Sequence, residues 1–115
     1  MNFRDWLFVE DHCEAIWKIV HSSQCIGETY NIGGSKDISN LNLIEHVLEI
    51  LSSKTSDSLD YYKSLITFVE DRKGHDFRYA IDYSKIERLL GWKPKSTLSD
   101  GLTTTIDYYL KKYSN

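Results

Sequence analysis

The alternation of two apolar patterns along the chain constrains its fold more than any other sequence feature. Aromatic and β-branched residues cluster in residues 3–9, 28–32 and 65–70, which predicts three strands. Apolar residues at spacings of three and four predict four helices. Their apolar positions are Cys13, Ile16, Trp17 and Val20; Leu41, Ile44, Leu48 and Leu51; Ile86, Leu89 and Leu90; and Leu102, Thr105, Ile106, Tyr109, Leu110 and Tyr113. The resulting order β-α-β-α-β-α-α predicts a mixed α/β fold.

Capping residues set the expected helix boundaries. Asp11 is placed to cap the first helix, and Asn40 to begin the second. The polar run 52–58 is expected to form a loop after the second helix. For the third helix, Asp82 is expected to act as the N-terminal cap, and Gly91 with Pro94 to end it. For the fourth, Thr97 and Asp100 have the spacing of a capping box.

Composition excludes several classes of function. A length of 115 residues allows one compact domain or part of a larger one, and a net charge of −3 argues against a nucleic-acid partner. No apolar run approaches the roughly 20 residues of a membrane span, and no signal peptide is recognisable. Cys13 and Cys25 lack metal-binding spacing, and His12, His21 and His46 form no ligand set, so no metal site is expected. Two cysteines make no disulfide framework, which favours reduced thiols and a cytoplasmic location.

The segment 71–82, Asp-Arg-Lys-Gly-His-Asp-Phe-Arg-Tyr-Ala-Ile-Asp, is the strongest candidate for a binding site. Arginine presents a planar fork that matches phosphate oxygens, and glycine lets the backbone come close to a ligand. The segment therefore suits the capture of a diphosphate. The charge of residues 71–78 is only +1, because two aspartates (71 and 76) offset the three cations at positions 72, 73 and 78. A solvated loop with internal ion pairs is therefore an alternative at this point.

Four blocks of the sequence, residues 4–12, 27–34, 71–82 and 91–94, together resemble one enzyme family. The first reads Arg-Asp-Trp-Leu-Phe-Val-Glu-Asp-His, the second Gly-Glu-Thr-Tyr-Asn-Ile-Gly-Gly and the fourth Gly-Trp-Lys-Pro. In residue type, order and spacing they are similar to the dTDP-glucose 4,6-dehydratases, members of the extended short-chain dehydrogenase/reductase superfamily. The similarity covers nearly the whole chain. Sister epimerases share the outline but usually differ at the positions of Trp6 and His75.

The resemblance implies a set of residues around the diphosphate of a nucleotide sugar. The set is Arg4, Asn40, Arg72, Lys73, Gly74, His75 and Asp76. Three of them have structural alternatives: an ion pair of Arg4 with Asp5 or Glu10, a helix N-cap for Asn40, and a backbone hydrogen bond for His75. Lys73 stands where the family usually has proline, which predicts a more mobile loop and an additional charge for a phosphate.

No catalytic residue is expected in this chain. Tyr108 and Lys112 have the Tyr-x-x-x-Lys spacing of the superfamily's catalytic pair, but they lie on the last predicted helix, whose family counterpart has no catalytic role. The sequence contains no Gly-x-Gly-x-x-Gly or Gly-x-x-Gly-x-x-Gly motif, which in the family holds the dinucleotide. The resemblance implies NAD in the intact enzyme, and we expect none to be bound to this chain.

The chain is thus expected to be an α/β C-terminal fragment of an NAD-dependent nucleotide-sugar dehydratase. Residues 1–115 would form a single substrate-binding fragment that includes the edge of the dinucleotide-binding sheet, with the N-terminal domain absent. The implied partner is dTDP-glucose. Alternatives are a fragment of another nucleotide-sugar epimerase or dehydratase, and a non-catalytic binding or interaction module. The strand at 28–32 and the apolar face of the first helix would lose their sheet, which predicts a homo-oligomer.

Overall fold

The computed structural model describes residues 2–34 and 37–114 of the chain. Two strands and five α-helices follow one another along these residues. They are β1 (Phe3–Asp5), α1 (Val9–Val20), β2 (Asp37–Ser39), α2 (Asn40–Lys54), α3 (Leu59–Ser64), α4 (Ser84–Leu90) and α5 (Leu98–Tyr113), with a 3-10 turn at Ser23–Cys25. The prediction of a mixed fold of helices and strands is confirmed. The assignment of the whole chain to a single substrate-binding fragment stays a prediction.

The predicted strands differ most from the structure. The first is confirmed only as the three residues of β1, which pairs antiparallel with β2, a strand the sequence did not predict. The strands predicted at 28–32 and 65–70 are wrong, since no described strand pairs with either segment. Phe68 and Val69 are 81% and 84% exposed, so their high β-propensity has no neighbour to pack on.

Helix α1 buries Ala15 and leaves its predicted apolar stripe exposed. The helix starts at Val9, two residues before Asp11. The prediction of Asp11 as its cap is therefore wrong, and Asp11 lies buried inside the helix. Ala15 is fully buried, whereas Ile16, Trp17 and Val20 on the predicted apolar face are 48%, 66% and 72% exposed. The stripe is uncovered, as expected for a helix face without its sheet.

The remaining helix boundaries follow the capping signals in part. Ser39, and not Asn40, caps α2, since its Oγ accepts the Asn42 N–H at 3.1 Å. The loop predicted at 52–58 is shorter, because α2 continues to Lys54 and Ser58 caps the unpredicted helix α3. Asp82 does accept the Ser84 N–H at 2.9 Å, although Tyr83 occupies the N-cap position of α4.

Two signals are confirmed as predicted. Gly91 ends α4 with φ +68°, a left-handed conformation that glycine adopts without strain. Thr97 caps α5, since its Oγ1 accepts the Asp100 N–H at 3.1 Å. Both signals depend only on residues within one turn of the helix end, which explains why the sequence predicts them correctly.

The core is small and lies between α1 and α4. Ala15, Ile86 and Trp92 are buried there, and partly buried apolar residues surround them: Leu7, Ile19, Tyr30, Ile32, Tyr83 and Leu90. The indole N–H of Trp92 donates to the Asp11 carbonyl at 3.0 Å. On the other side of the molecule α2 packs against α3 and α5, and Lys54 pairs with Asp107 at 2.7 Å.

The molecule is elongated and unusually exposed for its size. Its radius of gyration is 17.2 Å, and its principal extents are 51 × 37 × 21 Å. A globular chain of this length would have a radius of gyration of about 13 Å. Its accessible surface is 8524 Å², whereas a globular monomer of this mass exposes about 6,500 Å². An excess of roughly 2,000 Å² is more than the share of about 800 Å² that each partner contributes to a standard protein interface.

Candidate functional site

The segment 71–82 lies along β1, on the edge opposite to β2. The Phe3 N–H donates to the Phe77 carbonyl at 2.8 Å, and the Tyr79 N–H donates to the Phe3 carbonyl at 3.1 Å. These two bonds make a parallel bridge between Phe3 and Arg78. Arg78 also forms an ion pair with Asp37 at the start of β2. The pairing therefore places the segment next to Arg4, the central residue of β1.

His75 is the centre at which the predicted site residues meet. Its Nε2 contacts the guanidinium group of Arg4. Its Nδ1 lies 2.9 Å from Asp71 Oδ1 and 3.1 Å from Arg72 Nε. A neutral imidazole carries one N–H, so we assign it to Nδ1, donating to Asp71, while Nε2 accepts from Arg4. In this tautomer Nδ1 has no lone pair left for Arg72, which leaves that guanidinium group free to turn toward a ligand.

Arg4 is held by carbonyl groups and not by a carboxylate. Its Nη1 donates to the Phe3 carbonyl at 2.6 Å, and its Nη2 donates to the Asp76 carbonyl at 3.1 Å. The guanidinium carbon lies 4.6 Å from the centre of the Tyr79 ring. Among the described residues no ion pair involves Arg4, so the alternative of a pair with Asp5 or Glu10 is wrong. Its positive charge is oriented and remains uncompensated.

The two aspartates of the segment organise the loop, and among the described residues no ion pair involves Arg72 or Lys73. Asp71 accepts from the Asn2 side chain at 3.2 Å and from the Arg72 N–H at 2.9 Å. The bond from Asn2, followed by the nearby His75 and the Arg72 N–H, lowers the pKa of Asp71. Asp76 accepts from the Tyr79 hydroxyl, which raises the pKa of that tyrosine. The two acids are thus bonded by neutral or histidine donors, and the alternative of a loop with internal ion pairs fails for Arg72, whereas Arg78 pairs with Asp37 of β2.

Asn40 reaches the same site through Asn2. The Asn40 N–H donates to the Asn2 carbonyl at 2.9 Å, and the Asn2 side chain contacts Asp71. Asn40 stands at the first position of α2, where free backbone N–H groups favour an anion. Its Oδ1 is buried and has no hydrogen-bond partner among the described residues. An unpartnered buried amide oxygen is costly, and the alternative of a helix N-cap for Asn40 is wrong, since Ser39 caps α2.

The remaining predicted residues are exposed at the rim. Lys73 is exposed, and Gly74 adopts φ +74°, which forms the tight turn between Arg72 and His75. Cavities of about 610 and 830 Å³ lie beside the site, but neither is lined by Arg4, Arg72 or His75. The predicted binding residues therefore form an open surface, on which charge interactions are screened by water.

Residues set aside during sequence reading stay apart from this site. Lys112 lies on α5 among the rings of Tyr108, Tyr109 and Tyr113, with its Nζ 5.3–5.9 Å from their centres. No group of three or more potential metal ligands occurs in residues 2–34 and 37–114. The sequence does not predict Asn2 as a hydrogen-bond donor to Asp71, since an asparagine near a chain terminus carries no distinctive signal.

The glycines do not fit a dinucleotide. Gly33 and Gly34 form the only adjacent pair in the sequence, but their open faces are filled from within the chain. A Cβ on Gly33 would lie 2.7 Å from Ile81 Cβ, and one on Gly34 would collide with the Trp6 carbonyl. The pair serves close packing, so it has no room for a pyrophosphate, and we assign no NAD contact to it.

A family model described as GDP-mannose 4,6 dehydratase matches residues 1–105. The chain is 46% identical over 113 residues to a dTDP-glucose 4,6-dehydratase of Neisseria meningitidis serogroup B, covering 96% of this chain and 32% of that protein. It is 44% identical over 109 residues to dTDP-glucose 4,6-dehydratase 1 of Escherichia coli K12, covering 95% of this chain and 30% of the relative. The chain therefore spans about a third of the length of the curated relatives that it matches.

Solved structures give the same result. The dTDP-glucose 4,6-dehydratase of Bacillus anthracis, in complex with NAD, is similar with a TM-score of 0.79 and 40% identity, over 96% of this chain and 32% of that one. A UDP-glucose 4-epimerase of Thermotoga maritima with UDP-glucose has a TM-score of 0.79 and 25% identity, over 98% and 33%. In the described ranges no helix combines the length and apolar character needed to cross a bilayer. Since the family model matches more than nine-tenths of its residues, the chain belongs to the family of GDP-mannose 4,6 dehydratase type nucleotide-sugar enzymes.

Proposed function

We propose that this chain is the nucleotide-sugar-binding portion of a dTDP-glucose 4,6-dehydratase. The intact enzyme would convert dTDP-glucose to its 4-keto-6-deoxy product with NAD, which supplies the hydride transfer when bound. The observation that supports this best is the pair of arginines at His75. Arg4 and Arg72 both reach that ring, and no described carboxylate pairs with either. Two uncompensated guanidinium groups suit a doubly charged diphosphate.

The role of each side chain follows from its surroundings. Arg4 is fixed by carbonyl groups and would act as the rigid half of the clamp. Arg72 Nε lies 3.1 Å from His75 Nδ1 but is not bonded there in the assigned tautomer, so Arg72 would be free to close on the ligand from the loop. Asn40 would donate its side-chain N–H to phosphate oxygens at the start of α2, and His75 would hold Arg4 in place. At the rim, Lys73 would add a positive charge and Gly74 would form the turn. Asp76 would supply the carbonyl that anchors Arg4.

The site predicts weak and salt-sensitive binding. Exposed charge pairs contribute about 1 kcal/mol or less each, and the open surface gives no enclosed pocket for base or sugar. A dissociation constant near the millimolar range, about −4 kcal/mol, is therefore expected for dTDP. The same arrangement would bind other nucleoside diphosphates, because none of the residues in the proposed set reads the base.

The proposal is tested by titrating dTDP into the labelled chain and following amide shifts by NMR. We expect shifts to concentrate on residues 71–78, Arg4 and Asn40, and Arg72→Ala to remove most of the binding. Lys112→Ala is the matched control, since it removes a cation that lies among the α5 tyrosines, and it should leave binding unchanged. Shifts that avoid residues 71–78, or full binding by Arg72→Ala, would show that the site is wrongly assigned.

We further propose that the isolated chain has no dehydratase activity. No described residue is placed as a credible acid/base pair beside a cofactor site, and the one Tyr-x-x-x-Lys match lies exposed on α5. Incubation with dTDP-glucose and NAD should give no 4-keto-6-deoxy product above background. Measurable turnover would reject this part of the proposal without affecting the binding site.

Two other functions are considered. A fragment of a UDP-sugar epimerase or dehydratase is supported by the structural similarity to UDP-glucose 4-epimerase. Because no residue of the proposed set reads the base, the preference of the intact enzyme for UDP-glucose or dTDP-glucose would distinguish it. A non-catalytic binding or interaction module would bind neither with preference and would capture a protein partner instead. The cytoplasmic location and the homo-oligomeric state of the intact enzyme stay predictions.

A further inference from the structure

Asp5 ties together three segments that are distant in sequence. Its Oδ1 accepts the Gly34 N–H at 2.7 Å, and its Oδ2 accepts the Ile81 N–H at 3.2 Å. Asp5 is the neighbour of Arg4, and the ion pair between the two that the sequence allowed does not form. Its carboxylate is instead engaged by the backbone of the segment that carries Arg72 and His75.

The carboxylate replaces one rung of the parallel pairing between β1 and that segment. The Tyr79 N–H bonds the Phe3 carbonyl, so a regular parallel ladder would next join the Ile81 N–H to the carbonyl of residue 5. Here the side chain of Asp5 accepts that N–H instead of the backbone. The register of the segment on β1 therefore depends on one backbone contact at Phe3 and one side-chain contact at Asp5.

Close packing leaves no free space around the contact between Asp5 and the Ile81 N–H. A Cβ on Gly33 would lie 2.8 Å from Asp5 Oδ2 and 2.7 Å from Ile81 Cβ. The carboxylate, the glycine pair and Ile81 therefore fix one another. The same segment carries His75 and the Asp76 carbonyl, and both contact the Arg4 guanidinium group.

We propose that Asp5 is a positioning residue that sets the diphosphate clamp through Arg4. It makes no contact with a ligand itself; it holds the segment 71–82 in the register that brings His75 and the Asp76 carbonyl onto Arg4. The inference deepens the proposed function and rests on it. Without the Asp5 contacts the segment shifts along β1, Arg4 loses its supports, and the two guanidinium groups no longer converge.

The proposal is tested by a double-mutant cycle on dTDP binding at low salt. Asp5→Ala should weaken binding about tenfold, since both backbone amides lose an ionised acceptor. Because Asp5 acts through Arg4, Asp5→Ala should weaken binding little further when Arg4→Ala is already present. Asp107→Asn is the control carboxylate, since it lies on α5, outside the segment 71–82, and pairs with Lys54, and it should bind as the parent does. Equal losses in both backgrounds, or unchanged binding by Asp5→Ala, would overturn the proposal.

A second readout does not need the ligand. In Asp5→Asn, which keeps the size of the side chain, the amides of residues 77–81 should exchange faster while those of α2 and α5 keep the parent rate. Unchanged exchange of the Ile81 amide would overturn the register role. If the parent chain does not bind dTDP at all, the proposed function fails, and the exchange measurement still decides whether Asp5 positions the segment.

Discussion

At the scale of single residues, Asn40 is the clearest case in which a substitution should affect ligand binding and folding stability differently. Its buried Oδ1 has no partner in the described part of the chain, whereas its backbone N–H is bonded to the Asn2 carbonyl. Replacing the side chain removes an unsatisfied group and keeps the backbone bond. An unsatisfied buried acceptor costs about 1–3 kcal/mol.

We therefore expect Asn40→Ala to leave the free energy of unfolding unchanged or to raise it by up to about 1 kcal/mol, while dTDP binding weakens. Urea unfolding and the NMR titration measure the two effects on one sample. Ser39→Ala is the matched control, because it removes the true cap of α2 and should lower stability by about 1 kcal/mol. A clear loss of stability in Asn40→Ala would assign that residue a purely structural role.

Tyr30 provides a pH-dependent prediction at the edge of the core. Its hydroxyl donates to Cys25 Sγ at 3.1 Å, and this bond, with burial and the nearby Cys25 and Glu28, raises the pKa of Tyr30 to about 12. Because the folded-state pKa exceeds that of an unfolded tyrosine, about 10, the stabilisation is complete below pH 10. It is lost as the pH rises through about 12.

At pH 11 we expect Tyr30 to remain protonated, because this pH lies below its raised pKa of about 12. The ring-carbon shifts of labelled tyrosine report each ionisation by NMR. Cys25→Ala should bring the pKa of Tyr30 back toward that of an ordinary tyrosine. Ionisation of Tyr30 at or below pH 11 in the parent chain would contradict the assigned bond.

At the scale of elements, Trp92 joins α1 to α4. It is 1% exposed, and its indole N–H donates to the Asp11 carbonyl. Asp11 Oδ2 in turn accepts the Ser96 N–H at 3.0 Å, so the residues after α4 are attached to the first turn of α1 by two bonds. The Trp92 side chain thus contributes both apolar burial and a buried hydrogen bond.

We expect Trp92→Phe to lower the free energy of unfolding by about 2 kcal/mol, through the lost indole bond and a small cavity. Trp17→Phe makes the same chemical change at a side chain that is 66% exposed and should stay within about 0.5 kcal/mol of the parent. Chemical unfolding followed by circular dichroism compares the two variants. Equal effects would show that the α1–α4 contact does not carry the core.

The sequence predicts these elements unevenly, for reasons that individual residues make clear. Thr97 and Gly91 are correct because a cap depends on its own turn. Residues 65–70 have the composition of a strand, but pairing depends on a distant neighbour that composition cannot specify. The short strand β2 carries too few residues for a period to be recognised. In the site, Arg4, Arg72 and His75 could be predicted from the motifs, whereas the role of Asp5 depends on contacts with residues 34 and 81 that only the fold brings close.

At the scale of the whole molecule, the exposed face of α1 predicts self-association. Ile16, Trp17 and Val20 lie uncovered on one side of the helix, and the surface excess of roughly 2,000 Å² is enough for a stable interface. We propose that a second copy covers this face in the isolated chain, with dimers forming at high micromolar concentration.

Trp17→Glu should return the chain to a monomer by placing a charge in that contact. Tyr61→Glu is the control, since it alters an aromatic residue of similar exposure, 50%, on α3. Light scattering gives the mass of each species. A monomeric parent at high micromolar concentration, or a Tyr61→Glu effect equal to that of Trp17→Glu, would rule out α1 as the interface.

The elongated shape has a consequence for how the chain behaves in flow. A radius of gyration of 17.2 Å is that of a globular protein of roughly 220 residues, nearly twice the length of this chain. A single copy should therefore leave a gel-filtration column close to the elution volume of a compact dimer and sediment more slowly than its mass suggests. For this chain the hydrodynamic radius depends on molecular shape as well as on the number of copies. A change in elution volume on mutation therefore reports a change of shape as readily as a change of oligomeric state.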